Sequence, residues 1–202
     1  MYTPHTLPVR LRIRRLSAAR QSGVTLFELL VVMMIIAILA GIGIPTYRYV
    51  TTSGRMSSEL NALLGDLQFA RSEAAREGQT VSVCIAASTA SPYSCASSEA
   101  TDWQKGWLVF SDLSGNGVYD SGAGDTVLRV QGPFASSDTF TASNDVGVVT
   151  FNRDGFADFN TAQVTMILQD NPPNSTYTRC LFLSQSGMMT TAMQSTDPSG
   201  CQ

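Results

Sequence analysis

The hydrophobic and polar positions divide the chain into a long helix followed by a series of short strands. Between Leu26 and Ile44, nineteen consecutive residues contain a single charge, that of Glu28. A helix of this length spans about 28 Å at ~1.5 Å per residue, which is close to the hydrocarbon thickness of a bilayer. The pattern therefore predicts that residues 24–45 form the transmembrane half of an N-terminal helix.

The helical pattern continues past this span and becomes amphipathic. Apolar residues recur in alternating steps of four and three, which places them on one helical face; they are Met56, Leu60, Leu63, Leu67, Ala70 and Ala74. Arg55 and Glu59 lie four residues apart and are expected to pair on the solvated face. Gly78 is a residue type that ends helices, so residues 46–78 are predicted to be the amphipathic half of the same helix.

After Gln79 the periodicity changes to that of β-strands. Short runs rich in β-branched or aromatic residues are bounded by Gly, Asp, Asn or Pro; they cover 80–85, 106–110, 126–130, 147–151, 163–168 and 178–183. No helical pattern separates them, which favours antiparallel hairpins over parallel crossovers, and Ser-, Ala- and Gly-rich loops are predicted at 86–101 and 136–146. Residues 79–202 are thus predicted to form a small antiparallel β-sheet domain packed on the helix, an α+β fold.

The charge distribution predicts how the chain is oriented in a membrane. Residues 1–23 contain five arginines, His5 and no acidic residue, which leaves eight basic residues against all sixteen acidic ones in the rest of the chain. A basic segment before an apolar helix stays in the cytoplasm, so the β domain is expected in the periplasm. An acidic exported domain argues against nucleic acid as a partner, because phosphate binding needs clustered Lys and Arg.

The four cysteines predict two disulfides, because an even number in an exported chain is typical of bridged cysteines. Three pairings are possible; the sequence-local one joins Cys84 to Cys95 and Cys180 to Cys201, and each bridge contributes about 3 kcal/mol in the chain-entropy model. Metal ligation by cysteine is disfavoured, because no Cys-x-x-Cys spacing occurs and the only histidine is His5. No cofactor is expected.

A polar stretch from Asp112 to Asp120 has part of the spacing of a calcium-binding loop. Asp112, Asn116 and Asp120 stand where such a loop places oxygen ligands. However, Ala123 occupies the position of the bidentate glutamate, and strands rather than helices are predicted on either side. The sequence favours a polar hairpin turn and leaves these three residues as a calcium candidate.

No pattern in the chain predicts catalysis. After the basic segment the chain contains no histidine, so a Ser-His-Asp arrangement is not available. The acidic residues are scattered over predicted loops without a paired-carboxylate pattern. We therefore predict a non-enzymatic protein without catalytic residues.

The run from Gly23 to Glu28, Gly-Val-Thr-Leu-Phe-Glu, resembles the class III signal of type IV pilins and type II secretion pseudopilins. The usual first mature residue is Phe, and Val24 departs from it. The resemblance implies that residues 1–23 are a leader peptide, that a prepilin peptidase cuts between Gly23 and Val24, and that it methylates the Val24 amine. It also implies an assembly role for Glu28, whose carboxylate meets the N-terminal amine of a neighbouring subunit.

The later part of the chain is similar to the FimT/FimU minor pilins and the related GspH pseudopilins. The similar segments are the helix end with its following strand at 67–84, the Gly-Trp-Leu-Val-Phe run at 106–110, and Arg-Cys-Leu at 179–181. The resemblance implies a minor type IV pilin in a pilus-initiating or tip complex, with other minor pilins and the major pilin as partners. It is expected first as a single-pass inner-membrane protein and then in the pilus fibre or tip.

Two other functions remain open after this resemblance. One is a GspH-like minor pseudopilin of type II secretion, and the other is a FimT-like DNA receptor for natural transformation. DNA-binding members resemble one another in a Gly-Arg-x-Arg stretch. Here Gly187 is present, but Met188 and Thr190 replace both arginines, so the resemblance to DNA-binding members fails at these positions.

Overall fold

The computed structural model describes residues 23–159, 161–197 and 201, and the chain divides into two compact units at Pro45. Helix α1 runs over Leu26–Glu77. Among the described residues, it is the helix that is long and apolar enough to cross a membrane. Gly78, at φ +71°, follows its last residue, and the Gly78 N–H donates to the Ala74 carbonyl at 3.0 Å. The predicted leader lies outside the described residues except for Gly23.

The C-terminal unit contains ten strands that pair antiparallel throughout its described residues. They are β1 (Val81–Ser88), β2 (Ser94–Cys95), β3 (Trp107–Ser111), β4 (Thr126–Gln131), β5 (Thr139–Ala142), β6 (Val148–Phe151), β7 (Ala157–Asp158), β8 (Gln163–Gln169), β9 (Arg179–Ser184) and β10 (Met189–Met193). One sheet has the order β4-β3-β1-β6-β7, with β2 beside β1, and the other has the order β10-β9-β8-β5. The predicted α+β class is confirmed, with two sheets in the β domain.

The apolar stripe of α1 lies in the core of this unit. All six stripe residues are buried, as are inward-facing residues of both sheets, such as Val83 on β1, Met166 on β8 and Leu181 on β9. Burying a side chain of this size stabilises the fold by about 1.5–3 kcal/mol. The stripe is therefore the element that joins the two sheets into one core.

Strand β1 is buried on both faces, which explains its almost continuous apolar sequence. Val81, Val83 and Ile85 face the main core, whereas Cys84 packs in a second cluster with Leu108 and other residues on the outer face of the sheet.

Disulfides join Cys84 to Cys95 and Cys180 to Cys201. The first bridge fixes the β1–β2 turn region, and the second ties the chain end to β9.

Candidate functional site

The segment that precedes α1 contains the predicted processing residues. Gly23 and Val24 lie in an exposed, non-helical stretch, and Thr25 is the N-cap of the helix. The Thr25 hydroxyl accepts from the Glu28 N–H at 3.2 Å, and the Thr25 carbonyl accepts from the Leu29 N–H at 3.2 Å. The cap satisfies a backbone donor that a helix start would otherwise leave free.

Glu28 lies in the first turn of α1, where the helix dipole favours a negative charge. Thr25 and Glu28 have the residue types and spacing of a capping box. Every described side chain from Val24 to Ile44 is exposed. This surface is apolar apart from Thr25 and Glu28, and it is far larger than the apolar patches that soluble monomers leave in water.

A carboxylate–guanidinium pair holds α1 to the loop before β5. Arg55 Nε and Nη2 donate to the two Asp138 oxygens at 2.7 and 2.9 Å. The expected Arg55–Glu59 pair is therefore wrong. Two parallel hydrogen bonds to one carboxylate are stronger than a single contact between exposed side chains on a helix. Asp138, which accepts both of them, lies 83 residues away in sequence.

Glu59 lies one turn after Arg55 and is half-buried. Ser136 Oγ donates to its Oε1 at 2.8 Å, while its Oε2 is buried without a hydrogen-bond partner among the described residues. The pKa of Glu59 is raised to about 7, mainly by burial and also by the neighbouring Asp138, against the lowering effects of Ser136 and Arg55. The raised pKa follows from the burial, because protonation removes the cost of burying the negative charge.

Arg71 joins α1 to two turns of the β domain. Its Nε, Nη1 and Nη2 donate to the carbonyls of Gly155, Gly187 and Ser186 at 2.9, 2.9 and 3.2 Å. Gly187 has φ +75°, and a Cβ there would collide with the Gly155 carbonyl and the Arg71 side chain. Packing against Gly155 and Arg71 therefore explains a glycine at position 187 without any role in DNA binding.

The stretch from Asp112 to Asp125 is a polar loop closed by its own carboxylates. The buried Asp112 carboxylate accepts from the N–H groups of Gly115, Asn116 and Gly117 and from two serine hydroxyls. Asp125 accepts from two further backbone N–H groups of the loop.

The three calcium candidates do not share a ligand site in this loop. Asn116 Oδ1 accepts from the Val118 N–H at 2.8 Å, and Asp120 Oδ1 accepts from the Gly122 N–H at 2.8 Å. Within the described ranges, no three metal-ligating side chains of the His, Cys, Asp and Glu types come together. The side chains of Asp112, Asn116 and Asp120 serve as turn acceptors.

Trp103 and Trp107 are core residues, as their residue type favours over a binding surface. Both are buried, with ring centroids 6.5 Å apart. Trp103 Nε1 donates to the Val146 carbonyl at 3.0 Å, and Trp107 Nε1 donates to Asp66 on α1 at 2.9 Å. Asp66 also accepts from Arg129 at 2.9 Å, so the indole and the guanidinium both attach strands to the helix.

A capped apolar helix with an acid in its first turn, continued into an antiparallel β domain, defines a pilin-like protein. The family model for the prokaryotic N-terminal methylation motif matches residues 18–44, and the model for the type II transport protein GspH matches residues 59–187. The chain therefore belongs to the GspH family and is a minor pilin or pseudopilin of the GspH, FimT and FimU kind. The family and its fold are those of structural pilins.

Two crystal forms of the type IV minor pilin FimU from Pseudomonas aeruginosa strain PAO1 have a similar fold. The first matches with a TM-score of 0.54 and 24% identity over 77% of this chain and 99% of that chain. The second matches with a TM-score of 0.50 and 26% identity over 73% and 98%. No curated protein matches the sequence of this chain.

Proposed function

We propose that the chain is a minor type IV pilin, a structural subunit of a pilus-initiating or tip complex that assembles through its N-terminal helix. The observation that supports this most directly is the exposed apolar surface from Leu26 to Ile44, which lies within the matched N-terminal methylation motif at 18–44. Such a surface needs lipid or other apolar helices around it. The helix first anchors the subunit in the inner membrane and later lies among other helices in the fibre.

The proposal assigns each segment a task. A prepilin peptidase removes residues 1–23, cutting between Gly23 and Val24, and methylates the Val24 amine. Residues 24–45 cross the membrane, and residues 46–78 attach this helix to the β domain. The β domain, residues 79–202, lies in the periplasm and selects the neighbouring minor and major pilins.

Glu28 directs assembly in this proposal. A carboxylate in an apolar environment is costly unless it is paired with a cation. Cleavage before Val24 creates an amine that supplies such a cation to a neighbouring subunit. The exposure of Glu28 in the first helical turn supports a contact with another chain.

A minor pseudopilin of type II secretion is the second candidate, and the match to the GspH model favours it. Deleting the gene from its own organism, with the full-length chain supplied back as the control, separates the two. We expect fewer surface pili by electron microscopy and unchanged amounts of type II-secreted proteins in the medium. Loss of type II secretion with normal pili would instead show that the chain acts as a pseudopilin.

A DNA receptor is the third candidate, and it has less support. Met188 and Thr190 replace the motif arginines, and the described residues 188–197 contain no Lys or Arg. A mobility-shift titration of the full-length chain in detergent with duplex DNA is expected to show no saturable complex. Saturable binding that weakens with salt would show that the chain binds DNA and would favour the receptor function over the structural one.

A further inference from the structure

A cavity of about 310 Å³ lies between α1 and strand β10 in the C-terminal unit. Its walls come from three elements: α1 contributes Ser57, Leu60 and Asn61, β9 contributes Arg179, and β10 contributes Thr191 and its neighbours. Arg179 pairs in register with Met193 of β10. The cavity therefore opens beside a strand that stands at the end of its sheet.

Arg179 is the charged residue of this cavity, and it is buried. The residue is 8% exposed. Its Nη2 donates to the carbonyl and the hydroxyl of Ser53 at 3.2 and 2.9 Å, whereas its Nε is buried with no hydrogen-bond partner among the described residues. Burying a guanidinium is costly unless an anion lies beside it.

The other arginines that join α1 to the β domain differ from Arg179 in how they are satisfied. Arg55 pairs with Asp138, and Arg129 pairs with Asp66. Arg71 donates to three backbone carbonyls. Within the described part of the chain Arg179 has neither an ion pair nor a full set of acceptors, so the fold provides a buried cation without its anion.

Neutral polar groups complete the cavity wall. Ser57 Oγ donates to the Ser53 carbonyl and Thr196 Oγ1 to the Met193 carbonyl, so these hydroxyls are already used. The Asn61 amide and the Thr191 hydroxyl line the cavity and are exposed. No acidic residue stands among the described residues that line the cavity. A guanidinium beside an amide and a hydroxyl matches a carboxylate, whose charged oxygens accept strong hydrogen bonds from such donors.

We propose that this cavity is a carboxylate-binding site in which Arg179 holds the anion and Asn61 and Thr191 hydrogen-bond to it. The anion is a glutamate or aspartate side chain of a neighbouring subunit, or a small free carboxylate. The position beside an edge strand favours the side chain, because an extended segment can pair with β10 and place an acid over Arg179. Only this choice of source rests on the proposed function.

The test is thermal unfolding of the full-length chain in detergent micelles, followed by tryptophan fluorescence. Succinate is the free probe, with sodium chloride at equal ionic strength as its control. A capped tripeptide with a central glutamate is the chain-borne probe, with its glutamine counterpart as control. We expect both carboxylates to raise the unfolding temperature of the wild type in a saturable way, and neither control to do so.

The variants locate the effect. R179Q is expected to lose the shift, and R179K to keep the charge but bind more weakly, because it lacks the guanidinium fork. R153Q, which removes an exposed arginine in a turn, is expected to behave as the wild type. T191V leaves Arg179 in place on a folded background, and about threefold weaker binding is expected from the loss of one hydrogen bond.

Each outcome decides one point. A wild type that gives no carboxylate shift, or an R179Q that gives the full shift, overturns the site. Where R179Q fails to fold by circular dichroism, unchanged binding by both R179K and T191V overturns it as well. Tighter binding of the glutamate peptide identifies a neighbouring chain as the source, and tighter binding of succinate identifies a free anion. Because the assay needs no fibre, its failure leaves the pilin proposal standing, and failure of the pilin proposal leaves the binding result standing.

Discussion

Glu28 is the single acid between Val24 and Ile44, and it lies one turn from the proposed new N-terminus. E28A is expected to leave cleavage after Gly23 intact, because the peptidase acts on the segment before the helix. Incorporation into pili is expected to fall on the order of tenfold or more, since the amine of a neighbour loses its partner in an apolar environment. Immunoblots of whole cells and sheared pili measure the two effects.

E99A removes an exposed loop acid and is the matched control for this change of charge. It is expected to be cleaved and incorporated as the wild type. Normal incorporation of E28A would contradict the pairing of Glu28 with an amine. Lost cleavage of E28A would show that the residue acts in processing.

Glu59 is expected to make the stability of the fold depend on pH. Its pKa is raised by burial to about 7 from an ordinary value of 4.5. Between these values the folded chain binds a proton that the unfolded chain has released, so stability is full below about pH 4.5 and falls as the pH rises to about 7. Because the side chain is half-buried, we expect a loss of about 1 kcal/mol.

E59Q tests this expectation, because glutamine keeps the shape and the neutral state. Urea unfolding of the full-length chain in detergent at pH 5 and pH 8 measures the free energy of unfolding. E59Q is expected to match the wild type at pH 5 and to exceed it at pH 8, and E99Q is the exposed control. A wild type that loses no more stability than E59Q over this range would exclude a buried titrating Glu59.

At the scale of elements, Arg71 joins the amphipathic half of α1 to the turns at Gly155 and Gly187. G187A adds a Cβ at φ +75° against the Gly155 carbonyl and Arg71. We expect it to cost about 3 kcal/mol of unfolding free energy, from backbone strain and from loss of the Arg71 contacts. G132A is the control, because nothing lies within 4 Å of its added Cβ, and it is expected to stay within about 0.5 kcal/mol. Equal stability of the two variants in urea would show that the turns do not hold the helix.

The strands that the sequence did not predict show where local patterns are insufficient. Strand β5 lies in a stretch predicted as a polar loop, and β10, Met-Thr-Thr-Ala-Met, is a largely exposed edge strand. The burial of β5 alternates, but the strand has only four residues and its partner β8 lies further along the chain. Strand β10 follows β9 in a hairpin, and because it is largely exposed its sequence has no regular apolar positions. The strongly periodic elements, α1 and the six predicted runs, were all predicted correctly.

At the scale of the whole molecule, the disulfides fasten two segments that contribute little to the main core. Cys84 and Cys95 are 11 residues apart, and Cys180 and Cys201 are 21 apart. Loops of these lengths correspond to about 3 kcal/mol for each bridge in the chain-entropy model. Double alanine variants of each pair are expected to lose about this much unfolding free energy, measured against the wild type with and without reductant. A reductant effect that persists in a variant lacking both bridges would contradict this account.

The sequence alone determined the α+β class, the long N-terminal helix with its apolar first half and buried stripe, and the methylation motif. These features depend on neighbours along the chain, whose spacing sets which face of a helix or strand is apolar. It also supplied the family resemblance that the GspH and methylation models confirmed.

Only the tertiary structure decided which polar groups meet. Asp138 pairs with Arg55 across 83 residues, and Gly187 accepts from Arg71 across 116. Arg179 is buried beside Ser53 and makes no ion pair among the described residues. Such contacts depend on the packing of sheets against a helix, and no local spacing encodes them. The burial of Arg179 without an ion pair among the described residues could therefore not be predicted from the sequence.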